Sequence, residues 1–241
     1  ALVGMVFGAS NPSELLTPLN LFLFLYFLIP ANIMLYGIND YFDRDVDEEN
    51  PKKDEKEAKW QPGKLTDGTV LASAVLSLGL LVLPQITWIW SAAFLFLSLE
   101  YSAPPLRFKI RPFLDSISNG LYLMPFVISF TAVNGSIPPL SVIAGGWLWT
   151  MAMHTFSAIP DIEPDRKAGI DTTATFLGRK RTLMYCSAVW MLSMIVFGFY
   201  SRLLAGLFAV YPVLIGAIVL MDIDVGRAYW WYPYINAAVG M

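Results

Sequence analysis

Long apolar stretches, each closed by proline, glycine or charge, follow one another along the whole chain. They fall at residues 1–9, 15–38, 69–83, 86–101, 113–133, 138–159, 182–200, 203–221 and 228–241. The breaks carry turn formers, as at Asn11-Pro12, Pro84-Gln85 and Asn134-Gly135, or a short polar run at 222–226. A helix needs about 20 residues to cross a bilayer, so the shorter stretches are expected to tilt or to continue into their polar flanks. The pattern predicts an all-α, polytopic membrane protein of about nine transmembrane helices. It is expected to form one membrane domain over residues 1–241, and residues 1–9 are expected to be the remnant of a longer first helix.

Composition agrees with the pattern. Hydrophobic residues make up 56% of the chain and charged residues only 15%, against about 25% charged in soluble domains. The net charge of −3 gives no reason to expect a nucleic-acid partner, and the single cysteine, Cys186, excludes an intrachain disulfide. All Lys and Arg except Arg202 and Arg227 fall in three stretches: 44–64, 107–111 and 166–181. These follow the second, fourth and sixth apolar segments, whereas the loops after the first, third and fifth contain no Lys or Arg. The positive-inside rule places the three basic loops in the cytoplasm, with the N-terminus inside and the C-terminus outside. Basic loops can be topology signals and nothing more. That reading does not account for the acids, which contribute little to orientation yet crowd the same loops.

The first acidic cluster is Asn39-Asp40-Tyr41-Phe42-Asp43-Arg44-Asp45-Val46-Asp47. Asn39, Asp43 and Asp47 are spaced by four. If the helix continues past Ile38 they share one face, each about 6 Å along the axis from the next. A calcium loop beginning at Asp43 is disfavoured, because Glu48 stands where a glycine is expected. Asp45, Glu48, Glu49, Asp54, Glu55 and Glu57 read as a solvated acidic loop, and Asp40 stays open between a supporting hydrogen bond and the site itself. The second cluster is Asp161-Ile162-Glu163-Pro164-Asp165. Its two aspartates are also spaced by four, and Pro164 requires a helix to begin nearby or to be distorted. Both clusters open cytoplasmic loops, and are expected to face one another. Hard oxygen ligands of this kind, too few for a closed cage, suit Mg²⁺ held jointly with waters and substrate phosphates.

A third segment, Tyr101-Ser102-Ala103-Pro104-Pro105-Leu106-Arg107-Phe108-Lys109, ends a helix at its prolines and presents Arg107 and Lys109 on the same side. Arg offers a planar fork to phosphate oxygens and Lys a point charge.

The ordered set of these three motifs resembles the UbiA superfamily of intramembrane prenyltransferases, over nearly the whole chain. His154-Thr155-Phe156-Ser157-Ala158-Ile159-Pro160 and Thr172-Thr173-Ala174-Thr175-Phe176-Leu177-Gly178 are similar to the branch that contains archaeal lycopene elongases. The resemblance implies a helical bundle around a central cavity open to lipid. Asn39, Asp43 and Asp47 would bind one Mg²⁺ and Asp161 and Asp165 a second, the two ions bridging a diphosphate. Tyr101, Arg107, Lys109 and Arg166 would approach that diphosphate. Asp43, Asp47, Asp161, Asp165 and Lys109 would carry the catalysis. Ala158 stands where some relatives have a further Asp, which leaves the second ion's ligand set open.

The implied reaction transfers a prenyl group from a donor such as geranyl or geranylgeranyl diphosphate to a lipophilic acceptor within the membrane. The diphosphate ionises and the acceptor captures the carbocation. Phe42, Tyr101, Tyr122, Phe126 and Trp149 are candidates for stabilising that cation. His154 is a candidate base or a hydrogen-bonded structural group. Asp115 and Asn119 read more readily as a helix cap or internal hydrogen bonds than as site residues. Two other classes compete. A Mg²⁺-dependent lipid phosphotransferase would move the phosphoryl group and leave the carbon–oxygen bond intact. A cation transporter would place ionisable residues at mid-membrane depth, whereas here they gather at one end.

Overall fold

The computed structural model describes residues 1–47 and 61–240, with side chains described outside 45–47 and 240. Among the described residues the regular structure is all helical, without a strand. Five helical runs are long and apolar enough to cross a membrane: Pro18–Arg44, Lys64–Val82, Leu114–Asn134, Thr173–Gly198 and Arg202–Leu220. The fold is therefore all-α and that of a multi-pass membrane protein. The chain divides into two compact units, one of Ala1–Phe108 with Met124–Pro138 and one of Lys109–Leu123 with Pro139–Met241.

In the first unit, α1 (Leu2–Gly8), α2 (Pro18–Leu28), α3 (Pro30–Asp47), α4 (Lys64–Leu76) and α5 (Trp88–Glu100) precede a helix that returns later in the chain. The Thr17 hydroxyl caps α2, and Pro18 follows where its missing N–H is not needed. The apolar run over residues 15–38 does not form one straight helix. Pro30 has no N–H to give, and Ile29 leaves helical geometry at φ −122°, ψ −69°. The Asn32 amide donates to the carbonyls of Phe27 (2.9 Å) and Leu28 (3.1 Å) beside this break. Beyond it, α3 runs on without interruption through Asp47, which is what carries the first acidic cluster out of the apolar segment on a helix.

Tyr26 donates to the Ser77 hydroxyl (2.8 Å), and Phe27 meets Phe94 edge-on at 5.5 Å, fixing α2 against the chain after α4 and against α5. Leu23, Met34, Leu80 and Phe94 fill this core. Helix α4 begins at Lys64, five residues before the apolar stretch; Asp67 in its first turn suits the positive end of the helix.

In the second unit, α6 (Leu114–Ile117) leads through a 3₁₀ helix (Ser118–Leu123) into α7 (Met124–Asn134), which belongs to the first unit. There Gly4 lets α1 lie directly on the α7 backbone, since a Cβ would collide with the Phe126 carbonyl. The remaining helices are α8 (Leu140–Ser157), α9 (Ile162–Lys167), α10 (Thr173–Gly198), α11 (Arg202–Phe208), α12 (Val210–Leu220), α13 (Val225–Tyr229) and α14 (Tyr232–Gly240). Helices α8 and α10 form the largest pairing of this unit. They approach closely enough for the Ser193 hydroxyl to donate to the Gly145 carbonyl at 2.7 Å. Around them, Phe156, Trp190, Tyr211 and Tyr232 make a buried aromatic cluster with ring centroids 4.6–6.2 Å apart. Helix α10 is interrupted at Gly178 (φ 70°, ψ 163°), a conformation that a residue with a Cβ rarely adopts.

Candidate active site

The last turns of α3 bring Asn39 and Asp43 one turn apart, and the backbone of Asp47 follows one turn later on the same helix. The Asp47 side chain lies outside the described residues. Two side chains from the segment after α5 meet this face. The Ser102 hydroxyl donates to the Asn39 amide oxygen at 2.9 Å. Arg107 Nη2 lies 3.3 Å from Asp43 Oδ1 and 3.4 Å from the Phe42 carbonyl.

The reason for this approach is local. Pro104 and Pro105 cannot continue α5, and the Pro104–Pro105 peptide is cis. The chain turns back through Arg107, which adopts φ 42° while its N–H bonds the Ala103 carbonyl at 3.0 Å. The Glu100 carboxylate accepts the Leu106 N–H at 3.1 Å and steadies the turn. Asp43 is 16% exposed and Arg107 31%. Tyr101, half-buried, stands at the C-terminal cap of α5. Arg44 turns to the Tyr41 ring, 5.3 Å from its centroid.

The second cluster belongs to the second unit. Asp161 is the N-cap of α9 and Asp165 sits one turn on, its N–H bonded to the Asp161 carbonyl at 2.8 Å. Pro164 occupies the third helical position, where no intrahelical N–H is required, so the helix starts cleanly. Asp161 and Asp165 are half-buried, whereas Glu163 between them is exposed. Arg166 has its Nη1 on Glu163 Oε1 (3.0 Å) and its Nη2 on the Thr175 carbonyl (3.1 Å), in the first turns of α10. Lys109 lies in a single turn, Phe108–Ile110, at the start of this unit.

The structure thus brings together Asn39, Asp43 and Arg107 in one unit, and Asp161, Asp165 and Arg166 in the other. Ser102 is the partner that sequence reasoning missed. It lies inside the proline motif, but nothing in its identity marks it as the contact of Asn39. Asp115 and Asn119 are internally hydrogen-bonded, as expected: Asp115 is fully buried on Thr173, and the Asn119 amide donates to the Asp115 carbonyl. Of the aromatic candidates, Trp149 packs against Phe208 and Tyr211, Phe126 stacks on Phe130, and Phe42 and Tyr122 are exposed.

Among the described residues, no three of His, Cys, Asp and Glu gather into a group that would hold a metal unaided. The donors present are amide and carboxylate oxygens in pairs one helical turn apart, half-buried or nearly so. Such pairs fit Mg²⁺, which keeps waters and takes substrate phosphates in place of a full protein cage.

Apolar helices that end in half-buried oxygen donors, with basic groups set beside them, define a membrane-embedded enzyme. The chain belongs to the UbiA prenyltransferase family, whose pattern matches residues 1–224, and it is a prenyltransferase. A Haloferax volcanii protein named lycopene elongase/hydratase is 55% identical over 241 residues, which span 100% of this chain and 80% of that protein. A protein of the same name from Halobacterium salinarum is 53% identical over 242 residues, spanning 100% and 88%. Among solved structures, a UbiA homolog from Archaeoglobus fulgidus bound to GPP and Mg²⁺ superposes with a TM-score of 0.74. It is 20% identical, over 99% of this chain and 90% of that one. The same homolog bound to DMAPP and Mg²⁺ gives 0.73. At that identity the likeness establishes the shared fold.

Proposed function

We propose that this prenyltransferase moves a prenyl group from an allylic diphosphate, of the geranyl or geranylgeranyl type, onto a carotenoid end such as that of lycopene. The observation that carries the reading is the α3 face. There Asn39 and Asp43 are held by Ser102 and Arg107 at the end of an apolar helix. The names of the haloarchaeal relatives support the acceptor, and the ligands of the Archaeoglobus homolog support the donor and the ion. Family membership favours carbon–oxygen cleavage over phosphoryl transfer or cation transport.

In this reading Asn39, Asp43 and Asp47 would hold one Mg²⁺ and Asp161 and Asp165 a second, in company with the diphosphate. Tyr101, Arg107, Lys109 and Arg166 serve the diphosphate, and the loops that carry them lie on the cytoplasmic side. When bound, Mg²⁺ neutralises negative charge that develops on the leaving diphosphate. Arg107 and Lys109 add fixed positive charge at the same oxygens. The allylic C–O bond breaks and its electron pair leaves with the diphosphate. A carotenoid double bond attacks the allylic cation, forming the new C–C bond. The cation left on the acceptor then loses a proton, or takes up water, which loses a proton to leave an alcohol. Apolar and aromatic walls keep bulk water from the first cation.

The test is conversion of lycopene and labelled geranylgeranyl or dimethylallyl diphosphate by the protein in detergent or liposomes. Extended carotenoid and inorganic diphosphate are expected in equal amounts. Transfer of label from the phosphates to the acceptor would overturn the reading in favour of phosphoryl transfer.

A further inference from the structure

Asp115 is a fully buried carboxylate that the proposed chemistry does not use. It sits in α6, within the second unit. One of its oxygens accepts the Thr173 N–H at 2.9 Å and the other accepts the Thr173 hydroxyl proton. That hydroxyl oxygen in turn accepts the Phe113 N–H at 2.7 Å. Phe113 is held at φ 68°, a left-handed backbone unusual for an aromatic residue, with its ring against Phe176 and Tyr185. Three polar groups therefore close on one another in a buried place. Neither Asp115 nor Thr173 can lose its partner without leaving a buried group unsatisfied.

What this clamp joins is specific. Thr173 opens α10, and the Thr172–Thr175 capping box makes that first turn rigid. The Thr175 carbonyl receives Arg166 Nη2, and the Asp165 carbonyl receives the Ile170 N–H at 2.9 Å. Helix α9, which carries Asp161 and Asp165, is thus tied to the first turn of α10. On its other side, Asp115 is bonded through its N–H to the Arg111 carbonyl (3.0 Å), just after the turn that carries Lys109.

We infer that Asp115 is a positioning residue, which holds the segment bearing Lys109 and the helix bearing Asp161 and Asp165 in register for Mg²⁺–diphosphate. The inference rests on the reading of Asp161 and Asp165 as metal ligands. Asp115→Asn removes one acceptor from a site where both oxygens face donors. Thr173→Val removes the shared hydroxyl, whereas Thr173→Ser keeps both of its hydrogen bonds.

The test titrates Mg²⁺ calorimetrically in the presence of inorganic diphosphate, alongside melting temperature in Mg²⁺-free detergent. Asp115→Asn and Thr173→Val are expected to weaken Mg²⁺–diphosphate binding by about 10- to 100-fold, the usual effect of losing a supporting partner. Thr173→Ser stays within about threefold of the parent on the same scale. If Asp115→Asn does not fold, the Val and Ser pair at 173 decides alone. Binding within threefold of the parent for the folded disrupting variants, with only the melting temperature lowered, overturns the inference and leaves a purely structural clamp. Asp161→Asn is the control. If it binds normally, the metal reading fails and the inference with it; if it loses binding while the clamp variants do not, only the inference fails.

Discussion

Replacing Asp43 by Asn separates the proposed role of this carboxylate from its contribution to folding. The change keeps the side-chain shape and an acceptor oxygen for Arg107, but removes one negative charge from the α3 face. At 3.3 Å the ion pair has a gross attraction of about 5 kcal/mol at an effective dielectric constant of about 20. Arg107 is 31% exposed, so desolvation and screening reduce the net value to about 1 kcal/mol or less. Stability should therefore hardly change. Catalysis should fall far more, by about 10²- to 10³-fold, because a group that organises charge at the leaving diphosphate is lost. The assay pairs thermal unfolding in detergent with chromatographic measurement of prenylated product across Mg²⁺ concentrations. A rate within threefold of the parent would refute the assignment of Asp43. So would a collapse in melting temperature large enough to account for the lost activity.

Three further outcomes are expected. Asp161→Asn should lower turnover by a similar factor while the protein still melts cooperatively; unaltered Mg²⁺ dependence would remove α9 from the site. Lys109→Ala should weaken diphosphate binding and raise the KM for the prenyl donor, by about tenfold for a contact of about 1.4 kcal/mol, and an unchanged KM would detach Lys109 from the donor. Gly120→Ala places a methyl group on the Trp147 indole and should destabilise the protein by about 1–3 kcal/mol through overpacking. A neutral melting temperature would show that this close approach is not made.

The helical, membrane-spanning character was legible because hydrophobicity alone encodes it, and the continuation of α3 through Asp47 followed from a spacing of four that only a helix makes meaningful. Interruptions were harder to read. Pro30 lies inside an apolar run whose composition does not change across it, and the break is accommodated by a single polar side chain, Asn32. Gly178 breaks α10 through a positive φ that residue identity permits but does not require. Within the candidate site, the acids stood out in the sequence because carboxylates are costly next to apolar helix. Their partners did not. Ser102 reaches Asn39 across 63 positions and Asp115 reaches Thr173 across 58, distances over which a single sequence carries no pairing signal.

The charge pattern also constrains how the proposed site would work. A prenyl diphosphate is strongly anionic, and the residues proposed to serve it include the carboxylates Asp43, Asp161 and Asp165. Direct approach of like charges is unfavourable, so these carboxylates can serve the donor only through an intervening cation. Arg107 alone does not meet that need, because its Nη2 already lies on Asp43 and the Phe42 carbonyl. Under the proposed function, divalent ions held by these carboxylates would meet it. Thermodynamic linkage then requires reciprocity: Mg²⁺ raises the affinity for diphosphate by the same factor that diphosphate raises the affinity for Mg²⁺. In the proposed arrangement each partner would therefore strengthen the binding of the other.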